Sequence, residues 1–212
     1  MPPTPAPSEP TPPAATRLDP SCGVVWAGLV IPASLNPLGP GHPDESLRPR
    51  LAALSPQNIT RQVESDGRRV IDLDHLRCCL SGVWLLHNFL DESHSLSQDI
   101  HTASGSYWHG IMHRREPDFG NSKYWFRQAG DHPAYSEVGR AARAIAAAAR
   151  DSLPAPALAL ADDDSWDPFR FVNLCSSTYG RGGVLESFCR EVAWAEWQVL
   201  FDYCHRRAFG LA

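Results

Sequence analysis

The sequence predicts a mainly α-helical protein, a single-domain helical bundle preceded by a disordered, proline-rich N-terminal tail. Three observations predict it. Apolar residues recur at three- and four-residue spacing through several stretches after residue 72, the period of a helix with one buried face. Ser or Asp stands at the start of several such stretches, and Gly or Pro interrupts the chain beyond them. The chain has 212 residues, 43% of them hydrophobic, with seven Trp and eight Phe, which suffices for one sizeable core.

Residues 1–20 hold eight prolines and almost no large apolar side chains. Such a segment cannot bury enough surface to offset the entropy of ordering it, so a disordered tail is expected there and the helical domain over 21–212. The Val-rich run from Gly23 to Ile31, stopped by Pro32, reads as a buried strand or a docked extended segment. Asn36 to Pro49, rich in Pro and Gly, reads as a loop.

From Asp72 or Asp74, either able to cap a helix, one long helix is expected to about Ser97. Leu76, Leu80, Val83, Leu86 and Leu90 form its apolar stripe, widened by Leu85, Phe89 and Leu96. A second, short helix follows from Ser106 to Arg115, capped by Ser104 or Ser106 and ended by Pro117. Asp118, Gly120 and Asn121 read as a turn before the aromatic cluster Tyr124, Trp125 and Phe126. Pro133 and the Ala-rich run from Ala141 to Arg150 predict a helix that ends before Pro154. Asp162 to Asp164 is an acidic linker, Asp167-Pro168 opens a helix through Cys175, and Gly180 to Gly183 is a turn. The last helix, about Val184 to Ala208, carries two apolar stripes and should be buried on most sides.

Composition excludes some functions. A net charge of −5 and a pI near 6.0 supply no basic field for phosphate backbones, so no nucleic-acid partner is expected. The longest apolar runs reach about half of the roughly 20 residues that a membrane span needs, so no membrane span is expected. No positive n-region leads into an apolar h-region, which points to a cytoplasmic location. The six cysteines contain no C-x-x-C pair and fall mostly in apolar helical patterns, where they act as small hydrophobes. Oligomeric state is not legible.

Seven of the nine histidines lie between His75 and His132, and five of these between His87 and His113. On one continuous helix His87, Asp91, His94 and Gln98 share a stripe, which is either a metal-binding face or a solvated polar one. His109 and His113, at i and i+4, can turn two imidazoles toward one ion, although Gly110 stands where a zincin motif requires Glu. The metal set is therefore His87, Asp91, His94, His109 and His113, with iron, manganese and zinc all compatible.

Glu92 falls at the margin of the apolar arc and needs a cation, metal or donor there. It is the leading acid or base, with Arg114, Arg115, Arg127 or a histidine as the expected partner. Arg114, Arg115, Lys123 and Arg127, interleaved with Trp125, suit a small anionic ligand gripped by cations and stacked on a ring. Arginine outnumbers lysine 18 to 1, so Lys123 stands out as a second catalytic candidate beside His109.

The run from Ser106 to Phe119 (SYWHGIMHRREPDF), followed by Asn121 and by Lys123 to Arg127 (KYWFR), resembles a run in uncharacterised bacterial and fungal proteins. The segment Trp84 to His94 and the terminal Glu196, Trp197, Leu200, Phe201 and Asp202 resemble further parts of it. The resemblance spans about residues 75–207 and implies no activity. Three functions remain open: a metal-dependent helical enzyme, a metal-free enzyme or binding protein for a small anion, and a non-catalytic interaction module.

Overall fold

A computed structural model describes residues 25–211, apart from positions 27, 33 and 164. The tail expected over 1–20 lies outside the described residues. Those residues form a helical bundle of ten α-helices and contain no strand. In chain order these are α1 (Arg48–Ala52), α2 (Pro56–Ser65), α3 (Leu73–Leu86), α4 (Leu90–Ser97), α5 (Ala103–Arg115), α6 (Phe119–Ala129), α7 (Tyr135–Ala148), α8 (Ala155–Ala161), α9 (Pro168–Thr178) and α10 (Gly183–Phe209).

Helix α5 is the axis of the bundle, with every residue from Ser104 to Arg115 buried. Its N-cap is Thr102, whose Oγ1 accepts the Gly105 N–H at 3.1 Å, so the helix begins a few residues before the expected Ser106 start. Small residues let neighbours close on it. A Cβ at Gly82 of α3 would stand 2.6 Å from the Trp108 ring, and one at Gly110 would stand 3.2 Å from the Phe126 ring of α6. Helix α10 closes the other side of α3, and its Trp197 Nε1 donates to the Gly82 carbonyl at 2.8 Å. Trp194, Trp197 and Phe201 stack along it with centroids 5.2 and 4.9 Å apart.

The expected Asp72–Ser97 helix is two helices. Asp72 caps α3 as anticipated, accepting the His75 N–H at 3.0 Å. The chain breaks at Asn88, whose φ of +65° lies in the left-handed region that Asn tolerates better than most residues. Tertiary bonds hold the break: Asn88 Nδ2 donates to the His42 carbonyl at 3.0 Å, and Asn88 Oδ1 accepts from Arg115 Nη2 at 2.6 Å. Helix α4 then folds back on α3, with the Ser81 and Ser93 hydroxyls 2.9 Å apart.

Three other expectations change. Asp118 is the N-cap of α6, accepting the Asn121 N–H at 3.1 Å, so the anticipated turn is a helix start and the aromatic cluster is helical. Residues 25–31, where described, form turns; Val25, Trp26, Leu29 and Val30 are buried, and Trp26 packs edge-on against Phe201 at 5.5 Å. The segment is docked, but as turns and not as the expected strand or extended stretch. Helices α1, α2 and α8 were not anticipated, although Ser55-Pro56 is a cap followed by a first-turn proline, and α1 begins inside the expected Asn36 to Pro49 loop. Cys78, Cys79, Cys175, Cys189 and Cys204 are free and buried, as hydrophobes would be. No described helix is long and apolar enough to cross a membrane.

Candidate metal centre

Packing α4 and α6 against α5 brings three histidines together. His94 comes from α4, while His109 and His113 project from one face of α5 a turn apart. One potential ligand atom from each lies within 4.8 Å of the others. The ring centroids are 4.7 Å apart for His94–His109, 5.3 Å for His94–His113 and 4.7 Å for His109–His113. Three nitrogens on one tetrahedral ion stand about 3.4 Å apart, given bonds of about 2.1 Å, so small ring rotations close the set.

The hydrogen bonds around the cluster select the tautomers. Ser97 Oγ donates to the Ser93 carbonyl at 2.8 Å, and so receives the Nδ1–H of His109 at 3.1 Å. That leaves the Nε2 lone pair of His109 free. His113 Nδ1 lies 2.9 Å from Glu116 Oε2, an acceptor, so Nδ1 carries the hydrogen here too and Nε2 the lone pair. Asn121 Nδ2 stands 3.0 Å from that lone pair and must give way to an ion. Metal-binding histidines generally have such partners on the second nitrogen.

Burial keeps the His109 and His113 rings neutral, as ligands must be. Desolvation, followed by the neighbouring His113 and His94, pushes His109 down to about 3. His113 is also lowered, chiefly by desolvation and against the pull of Glu116. Trp125 covers the cluster, its ring 4.1 Å from that of His109.

The other expected site residues are elsewhere. His87 lies beyond the end of α3, where its Nε2 donates to the Leu29 carbonyl at 2.9 Å, and Asp91 is exposed on α4. Neither belongs to the histidine cluster: the Asn88 break parts His87 from His94, and Asp91, although it shares α4 with His94, is exposed and is not among the grouped ligands. Glu92 has its cation, but it is Arg48 of α1, which also lies 4.4 Å over the Phe89 ring. No short-range pattern links residues 48 and 92.

The arginines divide. Arg114 is buried and paired with Glu196, which is fully buried on α10 and also accepts the Tyr107 hydroxyl at 3.0 Å. Arg115 is buried against the Gly39 and Pro40 carbonyls at 2.7 and 3.1 Å, where loss of water pushes its guanidinium down to about 9. Both therefore serve the interior and are not available as anion grips, because α5 is enclosed on all sides. Arg127 is exposed, with its guanidinium 5.9 Å from the Phe169 ring of α9. Lys123 is half-buried and lies about 200° around α6 from both Asn121 and Trp125, the two residues that touch the histidines. Lys123 thus faces away from them. Ser97, Glu116 and Asn121, which hold the rings, were missed in the sequence; Glu116 follows His113 by three residues, a spacing that a helix wheel could have flagged.

Comparison with known proteins finds no family model, no curated protein and no solved structure that matches the chain.

Proposed function

We propose that this chain binds one divalent transition metal through His94, His109 and His113 and is a metal-dependent enzyme acting on a small molecule. The observation that carries the reading is the convergence of three imidazoles whose second nitrogens, on His109 and His113, are tied to Ser97 and Glu116.

The donor set favours zinc. Three imidazoles with an open fourth position are a catalytic zinc arrangement, in which the metal lowers the pKa of a bound water to about 7. Iron and manganese sites more often include a carboxylate, and the carboxylate nearest these rings, Glu116, serves His113 Nδ1. A zinc ion held by His94, His109 and His113 would supply a Lewis acid and an acidified water for hydrolysis at an electrophilic carbon or phosphorus. Trp125 supplies an apolar wall for the substrate.

Elemental analysis of protein purified without chelator tests the reading. Near one equivalent of zinc, or of another transition metal, is expected, and His109→Ala should lose it. Wild-type protein that remains metal-free after incubation with zinc, iron and manganese would overturn the proposal.

A further inference from the structure

A second constellation, which shares no residue with the metal cluster, lies at the N-terminal end of α5. It joins the N-terminus of α3, the N-terminus of α5 and the loop before α7. His75 Nδ1 is 2.8 Å from Asp72 Oδ2, Ser104 Oγ is 3.4 Å from His75 Nε2, and the same Oγ is 3.0 Å from His132 Nε2.

Every proton in this chain has a definite place. His132 Nδ1 accepts the backbone N–H of Ala134 at 3.1 Å, so His132 carries its hydrogen on Nε2 and donates to Ser104 Oγ. The Ser104 hydroxyl hydrogen then has His75 Nε2 as its acceptor. His75 in turn donates from Nδ1 to the Asp72 carboxylate. Burial first, then the neighbouring His75 and Arg207, pushes His132 down to about 4 and so keeps it neutral in this role.

The geometry points to a second active site, in which Ser104 is a nucleophile, His75 its general base and Asp72 the residue that positions His75. The ring nitrogens are used as a serine hydrolase uses them, Nε2 toward the hydroxyl and Nδ1 toward the carboxylate. The 3.4 Å separation is long, as it commonly is before substrate tightens the site. Ser104 is the second residue of α5, where the first amides have no intrahelical acceptor, so the N–H groups of Ala103 and Ser104 can receive a developing oxyanion.

Burial defines the substrate class. Ser104 is only 3% exposed, while the His75 side chain is 15% exposed and Ala103 lies at the surface. A hydroxyl so little exposed suits a short, unbranched acyl group, so the substrate class proposed is small carboxylic esters. Ser104 Oγ attacks the carbonyl carbon as His75 Nε2 takes its proton. The ester C–O bond breaks, that proton passes to the departing alcohol, and acyl-Ser104 remains for hydrolysis by water through the same base.

The test is incubation of the whole protein with p-nitrophenyl acetate, followed by intact and peptide mass spectrometry. One acetyl group on Ser104 is expected. It should be absent from Ser104→Ala, and its rate of formation should fall roughly 10²- to 10⁴-fold in His75→Gln. Asp72→Asn, which keeps the cap on α3, should slow acylation while leaving the melting temperature near that of the wild type. Protein treated with a chelator should acylate normally, since a metal-dependent hydrolysis of the ester would not label Ser104; failure here is thus separate from failure of the metal site. No acetyl on Ser104, label that persists in Ser104→Ala, or unchanged rates in both His75→Gln and Asp72→Asn would overturn the assignment.

Discussion

The ring of Trp125 lies 4.1 Å from that of His109, tilted by 36°. An indole this close to a metal-binding imidazole reports on what the imidazole holds. Adding Co(II), Ni(II) or Cu(II) should therefore quench tryptophan fluorescence stoichiometrically. Trp125→Phe should lose most of that quench while its metal content stays unchanged. A quench of equal size in the variant would mean that the ion sits elsewhere.

Glu116 accepts from His113 Nδ1 at 2.9 Å while remaining partly exposed, so its replacement should affect the metal far more than the fold. Glu116→Gln is expected to weaken metal binding about 10- to 100-fold, the usual cost of losing such a partner. Competition with a chromophoric chelator measures it.

Glu92 pairs with Arg48 at the surface and not with the histidines. Glu92→Gln should leave the bound metal at the wild-type amount and lower the melting temperature by a small margin that shrinks further at high salt, as screening of an exposed pair requires. Loss of metal in this variant would restore Glu92 to the site.

The Arg114–Glu196 pair is the opposite case, because both groups are buried. Glu196→Ala should cost about 3–5 kcal/mol in urea unfolding, since it strands a guanidinium away from water. A double variant, Arg114→Met with Glu196→Leu, should recover much of the loss. Equal destabilisation by the single and double changes would refute the pairing account.

Acid should destabilise the metal-free protein. His109 and His132 are lowered to about 3 and about 4, so between these values and about 6.5 the unfolded chain binds protons that the folded chain does not. Stability therefore rises with pH across that window and falls as pH drops from 6.5 toward 4, by at most about 1.4 kcal/mol per unit for each histidine. Denaturant midpoints at pH 7 and pH 5 check the sign, and His132→Gln should flatten the slope.

Much of the fold was legible because helix formation is recorded locally. Asp167-Pro168 at the start of α9, the two apolar stripes of α10 and the Asp72 cap of α3 are short-range signals, and each element forms where they indicate. The i, i+4 spacing of His109 and His113 likewise determined, without any tertiary contact, that these two rings share a face of α5. Clustering of histidines in the segment from His75 to His132 marked the region of both candidate sites, though not their division.

Tertiary structure decided the rest. Asn88 breaks the expected helix because its partners, His42 and Arg115, lie far away in sequence, and that break separates His87 from His94. The partner of Glu92, the burial of Arg114 and Arg115, and the meeting of Asp72, His75, Ser104 and His132 all depend on which helices pack together. Periodicity states that a side chain lies on a face; it does not state what that face meets. Burial and pairing are properties of two surfaces, and the second surface here comes from elsewhere in the chain.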